Sequence, residues 1–152
     1  MSEGRVLALD VGARRIGIAV SDGMVASTAG VIHRKGMARD LDTLRGLIDR
    51  HDAARIVVGL PLSLSGEIGP QARVTLEFVD ALKEALTVPV ETFDERYTSA
   101  EAEATLRAQG VKARKIRARV DEVAAATILQ GWLDARQVSP AAPLRDSSLR
   151  SE

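Results

Sequence analysis

Cysteine is absent from the 152 residues, and histidine occurs only at His33 and His51. Without thiols the chain builds neither a disulfide framework nor a thiolate metal centre, and two distant imidazoles do not make a histidine-rich zinc site. Any metal held here is held mainly by oxygen. Aromatic residues are 3% of the chain, so the core must be Val, Leu, Ile and Ala. Such a core suits stacked layers of strands and helices better than an aromatic-lined binding module. No run reaches the roughly 20 apolar residues of a membrane span. The opening MSEGRVLALD carries charges ahead of a short apolar segment and lacks the long apolar core of a secretory signal. A cytoplasmic protein without membrane association is expected. The formal net charge is +0, so attraction to nucleic acid would have to come from local clustering of basic residues.

What is present is 45% hydrophobic content in a chain the length of one domain. RVLALDVG reads as a strand, with Val6, Ala8 and Asp10 on one face and Leu7, Leu9 and Val11 on the other. RRIGIAVSD is a second strand after a tight Gly12-Ala13 turn. VASTAGVIHR is a third, reached through the Asp22-Gly23 hairpin signal. Short links make these an antiparallel meander. A helix is expected over 38–51, where Leu41, Leu44, Leu47 and Ile48 recur at helical spacing. RIVVGLPL then reads as a buried strand, SLSGEIGPQ as a loop and ARVTLEFVDALKEAL as an amphipathic helix. VPVETFDE returns as a strand, SAEAEATLRAQG is a helix ended by Gly110, and VKARKIRAR is a basic connector. A last helix runs from Val120 to Arg136. The order βββ-α-β-α-β-α-α implies a mixed sheet with helices on its faces, a single domain over 1–137, and a disordered tail over 138–152.

Three carboxylates stand out. In the last helix, Asp121 heads a stripe continued by Ala124, Ala125, Ile128, Leu129 and Trp132, the face that should enter the core. A carboxylate carried inward has to be capped, paired, protonated or bound to a cation. Asp10 ends the first strand and Asp94 ends VPVETFD. In open α/β sheets ligands bind at the ends of parallel strands. If those two strands run parallel, Asp10 and Asp94 open at one edge, and a helix over that edge could add Asp121. Such a cluster suits a hard divalent cation and phosphoryl chemistry. Each residue also has an ordinary reading: Asp121 as a helix cap, Asp10 as a turn residue, Asp94 as the ion-pair partner of Arg96.

The segments LALDVGARRIGIAVSD, IVVGLPLSLSG, FDERYTSAEAEA and RVDEVAAATILQGWL occur in that order. As a set they resemble the YqgF family, also called RuvX or Holliday-junction-resolvase-like proteins, within the RNase H-like nuclease superfamily. The resemblance covers residues 5–136. It implies an α/β, RNase H-like fold: a five-stranded mixed sheet, first three strands antiparallel, flanked by helices. It also implies a divalent-metal nuclease, using Mg²⁺ or Mn²⁺, in maturation of the pre-16S rRNA 5′ end; the sequence leaves open whether it is a monomer or homodimer. The family's acidic residues fall on Asp10, Asp94 and Asp121. Its kinship to junction resolvases implies an alternative substrate in branched or single-stranded DNA. A non-catalytic RNA-binding assembly factor would keep the same fold. DVGARRIG also resembles the phosphate loop of sugar kinases and actin-like ATPases, but those need two such domains around a nucleotide.

One departure concerns the resolvases of the superfamily, which carry a glutamate at the end of the fourth strand. Here that place reads Gly59, Leu60, Pro61. A fourth metal ligand would then come from water, substrate phosphate, Glu95 or Glu122. Glu95 follows Asp94 directly, so in a continuing strand it points the other way; it reaches the site only where the strand has turned, and reads as a surface carboxylate or as a group supporting the metal's ligands. Arg14 and Arg15 lie one turn from Asp10, where strand alternation lets one of them touch a substrate phosphate, and Arg96 beside Asp94 could orient it, hold a phosphate or form an ion pair. Lys112, Arg114, Lys115, Arg117 and Arg119 precede Asp121 and form either a solvated face or a phosphate clamp. Thr98, Ser99 and Glu101 match a helix-capping pattern.

Overall fold

The computed structural model describes residues 4–63, 65–95 and 120–138, with the side chains of 120, 121, 137 and 138 outside that description. Eight elements follow along the described residues: β1 (Arg5–Val11), β2 (Arg15–Asp22), β3 (Val25–His33), α1 (Met37–His51), β4 (Ala53–Leu60), α2 (Pro70–Ala85), β5 (Val90–Asp94) and α3 (Val120–Val138). The turn between β1 and β2 is closed by the Gly12 amide donating to the Arg15 carbonyl at 2.8 Å. Gly23 turns the β2–β3 hairpin with φ 67, a backbone angle open to glycine. α2 begins at Pro70, two residues earlier than the apolar spacing indicates. Proline's fixed φ suits a first helical turn, where no amide is needed.

The sheet order is β3-β2-β1-β4-β5. β1 pairs antiparallel with β2, and β2 with β3; β1 pairs parallel with β4, and β4 with β5. The C-terminal ends of β1, β4 and β5 therefore open at one edge. This is the five-stranded mixed sheet expected from the sequence, its first three strands antiparallel.

Alternation along the strands sorts side chains into two layers. Leu7, Leu9, Ile16, Ile18, Ile56 and Val58 pack with Leu44 of α1 and with Phe78, Val79 and Leu82 of α2. The opposite face carries smaller residues, Ala8, Ala19, Ala26 and Val57, and meets Val123, Ala125, Ala126, Ile128, Leu129, Trp132 and Leu133 of α3. Small strand residues let a helix lie close, and α3 crosses β1, β2 and β3 on this face. Its buried arc is wider than the expected stripe: Ala126 and Leu133 join it, whereas Ala124 is only half-buried.

The buried Gln130 fastens α3 to the β2–β3 hairpin. Its Oε1 accepts from the Ala26 amide at 2.9 Å, and its Nε2 donates to the Met24 carbonyl at 3.1 Å and to Asp134 Oδ1 at 3.0 Å. The expected helix SAEAEATLRAQG, the basic connector and the tail beyond Val138 lie outside the described residues.

Candidate active site

Asp10 is the next-to-last residue of β1 and pairs with Gly17 of β2. It stands one step beyond the last β1–β4 pair, Leu9–Val58, and so beside Gly59. Gly59 in turn pairs with Phe93, and Leu60 with Asp94. Asp10, Gly59 and Phe93 thus form a row across the open edge, with Asp94 just past it.

Strand phase decides which carboxylates share a face. Ala8 and Val57 belong to the α3 layer, so Asp10 and Gly59 face α3. On β5, Glu91 Oε2 accepts the indole N–H of Trp132 at 2.9 Å, and Phe93 packs against the α3 layer. Val90 lies in the opposite core, and alternation gives Asp94 the phase of Val90 and Thr92. It is Glu95, two residues after Phe93, whose phase matches Asp10.

Glu95 is half-buried, and a β-carbon added to Gly59 would lie 2.9 Å from its Oε2 and overlap the Ile128 side chain of α3. Burial is the first cause that pushes the Glu95 carboxyl up from 4.5 to about 7; the charge of Asp10 is the second and that of Asp94 the third. Glu95 does point away from Asp94, as strand alternation predicts, but that is the side facing Asp10, and the expected surface carboxylate is half-buried there. Glu95 directly follows the end of β5 and shares the electrostatic environment of Asp10 and Asp94. Which of the two neighbours faces Asp10 is decided by Trp132 and the α3 layer, which set the phase of β5.

Glu122 is placed differently. Its Oε1 accepts a hydrogen bond from the Gly30 amide of β3 at 3.1 Å, which ties the start of α3 to the far side of the sheet. Asp121 lies in the first turn of α3, one helical turn before Ala125 and two before Ile128; its side chain lies outside the described atoms. Among the described residues no three His, Cys, Asp or Glu side chains converge tightly enough to enclose a metal ion. The donor chemistry nonetheless fits a hard cation: among the described residues Glu95 stands within the electrostatic reach of Asp10 and Asp94, and carboxylate oxygens are the ligands such a cation takes.

The backbone leaving Asp10 is held in place by residues that the sequence reading did not single out. Arg34 donates from Nη1 to the Gly12 carbonyl at 3.1 Å and from Nε to Asp40 Oδ2 at 3.2 Å. Asp40 is 1% exposed and also accepts from the Lys35 amide at 2.9 Å. The Arg34 guanidinium lies 5.0 Å from the Phe78 ring centre, and Gln71 Nε2 donates to the Val11 carbonyl at 3.3 Å. Arg14 and Arg15 are exposed on this fixed turn. The only sequence signal for the clasp was an acid in the first turn of α1 after Gly36. Arg96, Lys112, Arg114, Lys115, Arg117 and the Thr98–Glu101 capping pattern lie outside the described residues. No helix among the described residues is long and apolar enough to cross a membrane.

The fold has solved counterparts. Thermus thermophilus RuvC in complex with Holliday junction substrate superposes with a TM-score of 0.58 at 18% identity, covering 90% of this chain and 97% of that one. The fowlpox virus resolvase bound to Holliday junction DNA gives 0.52 at 7% identity, covering 86% and 97%. At these identities the likeness is one of fold alone, that of an RNase H-like domain with a five-stranded mixed sheet. Residues 4–135 match the model of the RuvX Holliday junction resolvase family, and the chain belongs to that family. A Chloroflexus aurantiacus relative, named "Putative pre-16S rRNA nuclease", is 47% identical over 142 residues, covering 92% of this chain and 93% of that one. One from Anaeromyxobacter dehalogenans with the same name is 48% identical over 134 residues, covering 87% and 98%.

Proposed function

We propose that this protein is a cytoplasmic, divalent-metal-dependent nuclease that hydrolyses phosphodiester bonds in the 5′ precursor region of 16S rRNA. The observation that supports the reading is that Asp10 and Asp94 end parallel strands at one edge of the sheet, and that the charges of both act on Glu95 there. The names borne by relatives at 47% and 48% identity support the rRNA substrate.

In this reading Asp10, Asp94 and Asp121 hold Mg²⁺ or Mn²⁺. A bound divalent cation supplies charge neutralisation at the scissile phosphate and a more acidic attacking water. The protein supplies position. Asp10 is set by its strand and by the clasp on the turn behind it, in which Arg34 and Gln71 hold the Gly12 and Val11 carbonyls. Arg14 and Arg15 project from that turn to meet a substrate phosphate, with Arg96 acting beside Asp94. Lys112, Arg114, Lys115 and Arg117 attract the backbone of the nucleic acid without reading bases, so binding weakens as salt rises.

The fold of the resolvases and the family's description support a second substrate, the four-way DNA junction. The test sets a 5′-extended 16S precursor RNA, single-stranded DNA and a four-way junction side by side with Mn²⁺, Mg²⁺ or EDTA. Cleavage of the RNA that EDTA and Asp10→Asn both abolish, in a variant with wild-type circular dichroism, is the expected result. Preferential junction cutting would replace the rRNA assignment. Full activity of Asp10→Asn, or salt-sensitive binding without cleavage under any metal, would overturn the nuclease reading.

A further inference from the structure

At the end of the sheet remote from Asp10 and Asp94, where β1 and β4 begin and β2 ends, a cleft of about 190 Å³ opens beside the C-terminal end of α3. Val6, Met24, Arg55, Trp132, Leu133 and Arg136 are among its walls. The volume falls below the roughly 300–1,000 Å³ that encloses a drug-sized ligand or cofactor, so it suits one small unit of something larger. Its polar groups are held in order. Glu91 accepts from Arg55 Nη1 at 2.6 Å and from the Trp132 indole at 2.9 Å, which fixes the guanidinium and the ring together. The exposed Arg136 guanidinium lies over the same ring, 4.5 Å from its centre. Contact with a ring face uses none of its N–H donors, which are left for an anion. Among the described residues no carboxylate pairs with Arg136, whereas Arg55 is already paired with Glu91. A basic residue in the last turn complements the helix dipole without any cleft or ring, so that role alone leaves the arrangement unexplained.

We propose that this cleft is a second RNA contact, remote from the scissile bond, in which Arg136 receives a backbone phosphate and the apolar wall of Met24 and Leu133 receives the adjoining sugar or base. The proposal rests on the nuclease reading above and adds a substrate contact to it. Cleft and catalytic edge share the α3 side of the sheet, since Val6 and Trp132 belong to the same layer as Ala8, whose phase Asp10 follows. α3 spans the distance between them. Asp121 opens that helix and Arg136 stands near its end, about 22 Å further along at roughly 1.5 Å per residue. A stacked strand advances roughly 3 Å per nucleotide, so a substrate has to extend about seven nucleotides beyond the cut to reach the cleft. An arginine–phosphate pair there adds affinity without reading bases.

Trp132 is the single tryptophan of the chain, so its fluorescence reports on the cleft directly. The test titrates the full-length protein in EDTA with single-stranded precursor RNAs of about 20 and about 6 nucleotides, the second too short to span the distance, and with AMP. Binding is read from Trp132 fluorescence and, separately, from the anisotropy of end-labelled RNA. The longer RNA should change the fluorescence of the wild type. Arg136→Ala should abolish that change and weaken binding of the longer RNA about tenfold, and Arg136→Lys, which keeps the charge, should recover part of the loss. With Mn²⁺ present, Arg136→Ala should raise KM for the longer RNA relative to the shorter one. Equal losses for both lengths, unchanged affinity, or fluorescence blind to bound RNA would overturn this inference, and a wild type that still cleaves would leave the nuclease reading standing. A fluorescence change with AMP but not with RNA would replace the RNA contact by a free-nucleotide site. A wild type that neither binds nor cleaves RNA would defeat the nuclease reading and this inference together.

Discussion

Replacing Glu95 with glutamine should change how the metal-free protein responds to pH, and the sign can be worked out. In the folded chain the carboxyl is raised from 4.5 to about 7, by burial first and then by the charges of Asp10 and Asp94. Between those two values the folded state holds a proton that the unfolded state has lost. Stability therefore falls as pH rises through this window and levels off above about 7. At full strength the penalty is about 3 kcal/mol, at roughly 1.4 kcal/mol per pH unit. The side chain is only half-buried, and solvent screening reduces this to about 1–1.5 kcal/mol. Glutamine carries no charge to desolvate or repel. Glu95→Gln should thus melt about 3–5 °C above wild type at pH 8 and close to it at pH 4.5, by the usual scaling for a domain of this size. The assay is thermal unfolding by circular dichroism in EDTA from pH 4.5 to 8. Subtracting the two curves removes every carboxylate common to both. A difference that stays flat with pH, or a variant that melts lower at pH 8, would refute the reasoning.

Two further substitutions test the supports of the site. Gln130→Ala removes the acceptor of the Ala26 amide and a donor to the Met24 carbonyl, both between α3 and the hairpin. It should cost about 2–3 kcal/mol in urea unfolding, the penalty for buried polar groups left unsatisfied, and a loss below about 0.5 kcal/mol would contradict the clasp. Arg34→Ala strands the buried Asp40 and frees the Gly12 carbonyl, so about 3 kcal/mol should be lost. Adding Asp40→Asn should restore part of it, and additive losses in the double-mutant cycle would show that the two side chains are not coupled.

Much of the architecture was legible in the chain because it follows from local periodicity. The alternation in RVLALDVG put Asp10 with Ala8, and that is the face α3 covers. The Gly12-Ala13 and Asp22-Gly23 turns produced the antiparallel meander, and the continuous apolar run of β4 marked its burial between two layers. The last helix was legible as a core helix from the spacing of Ala125, Ile128, Leu129 and Trp132, all of which are buried. Asp10 and Asp94 were legible as strand-end acids for the same local reason.

What tertiary structure decided lies where one element's meaning depends on a distant one. Asp94 and Glu95 are neighbours in sequence, and nothing local says which of them shares a face with Asp10. Trp132, 41 residues from Glu91, helps set the phase of β5 through one hydrogen bond. The role of Gly59 was invisible until Ile128 and Glu95 were found in the space its missing β-carbon leaves. Gln130 and Ala26 are separated by 104 positions, and Arg34 meets Gly12 across 22. Periodicity reports which way a side chain leaves its own backbone, whereas burial and electrostatics depend on what the rest of the fold brings to meet it. The sequence by itself therefore determined the layers and the face of Asp10, and only the folded chain determined that Glu95 stands at the edge beside it.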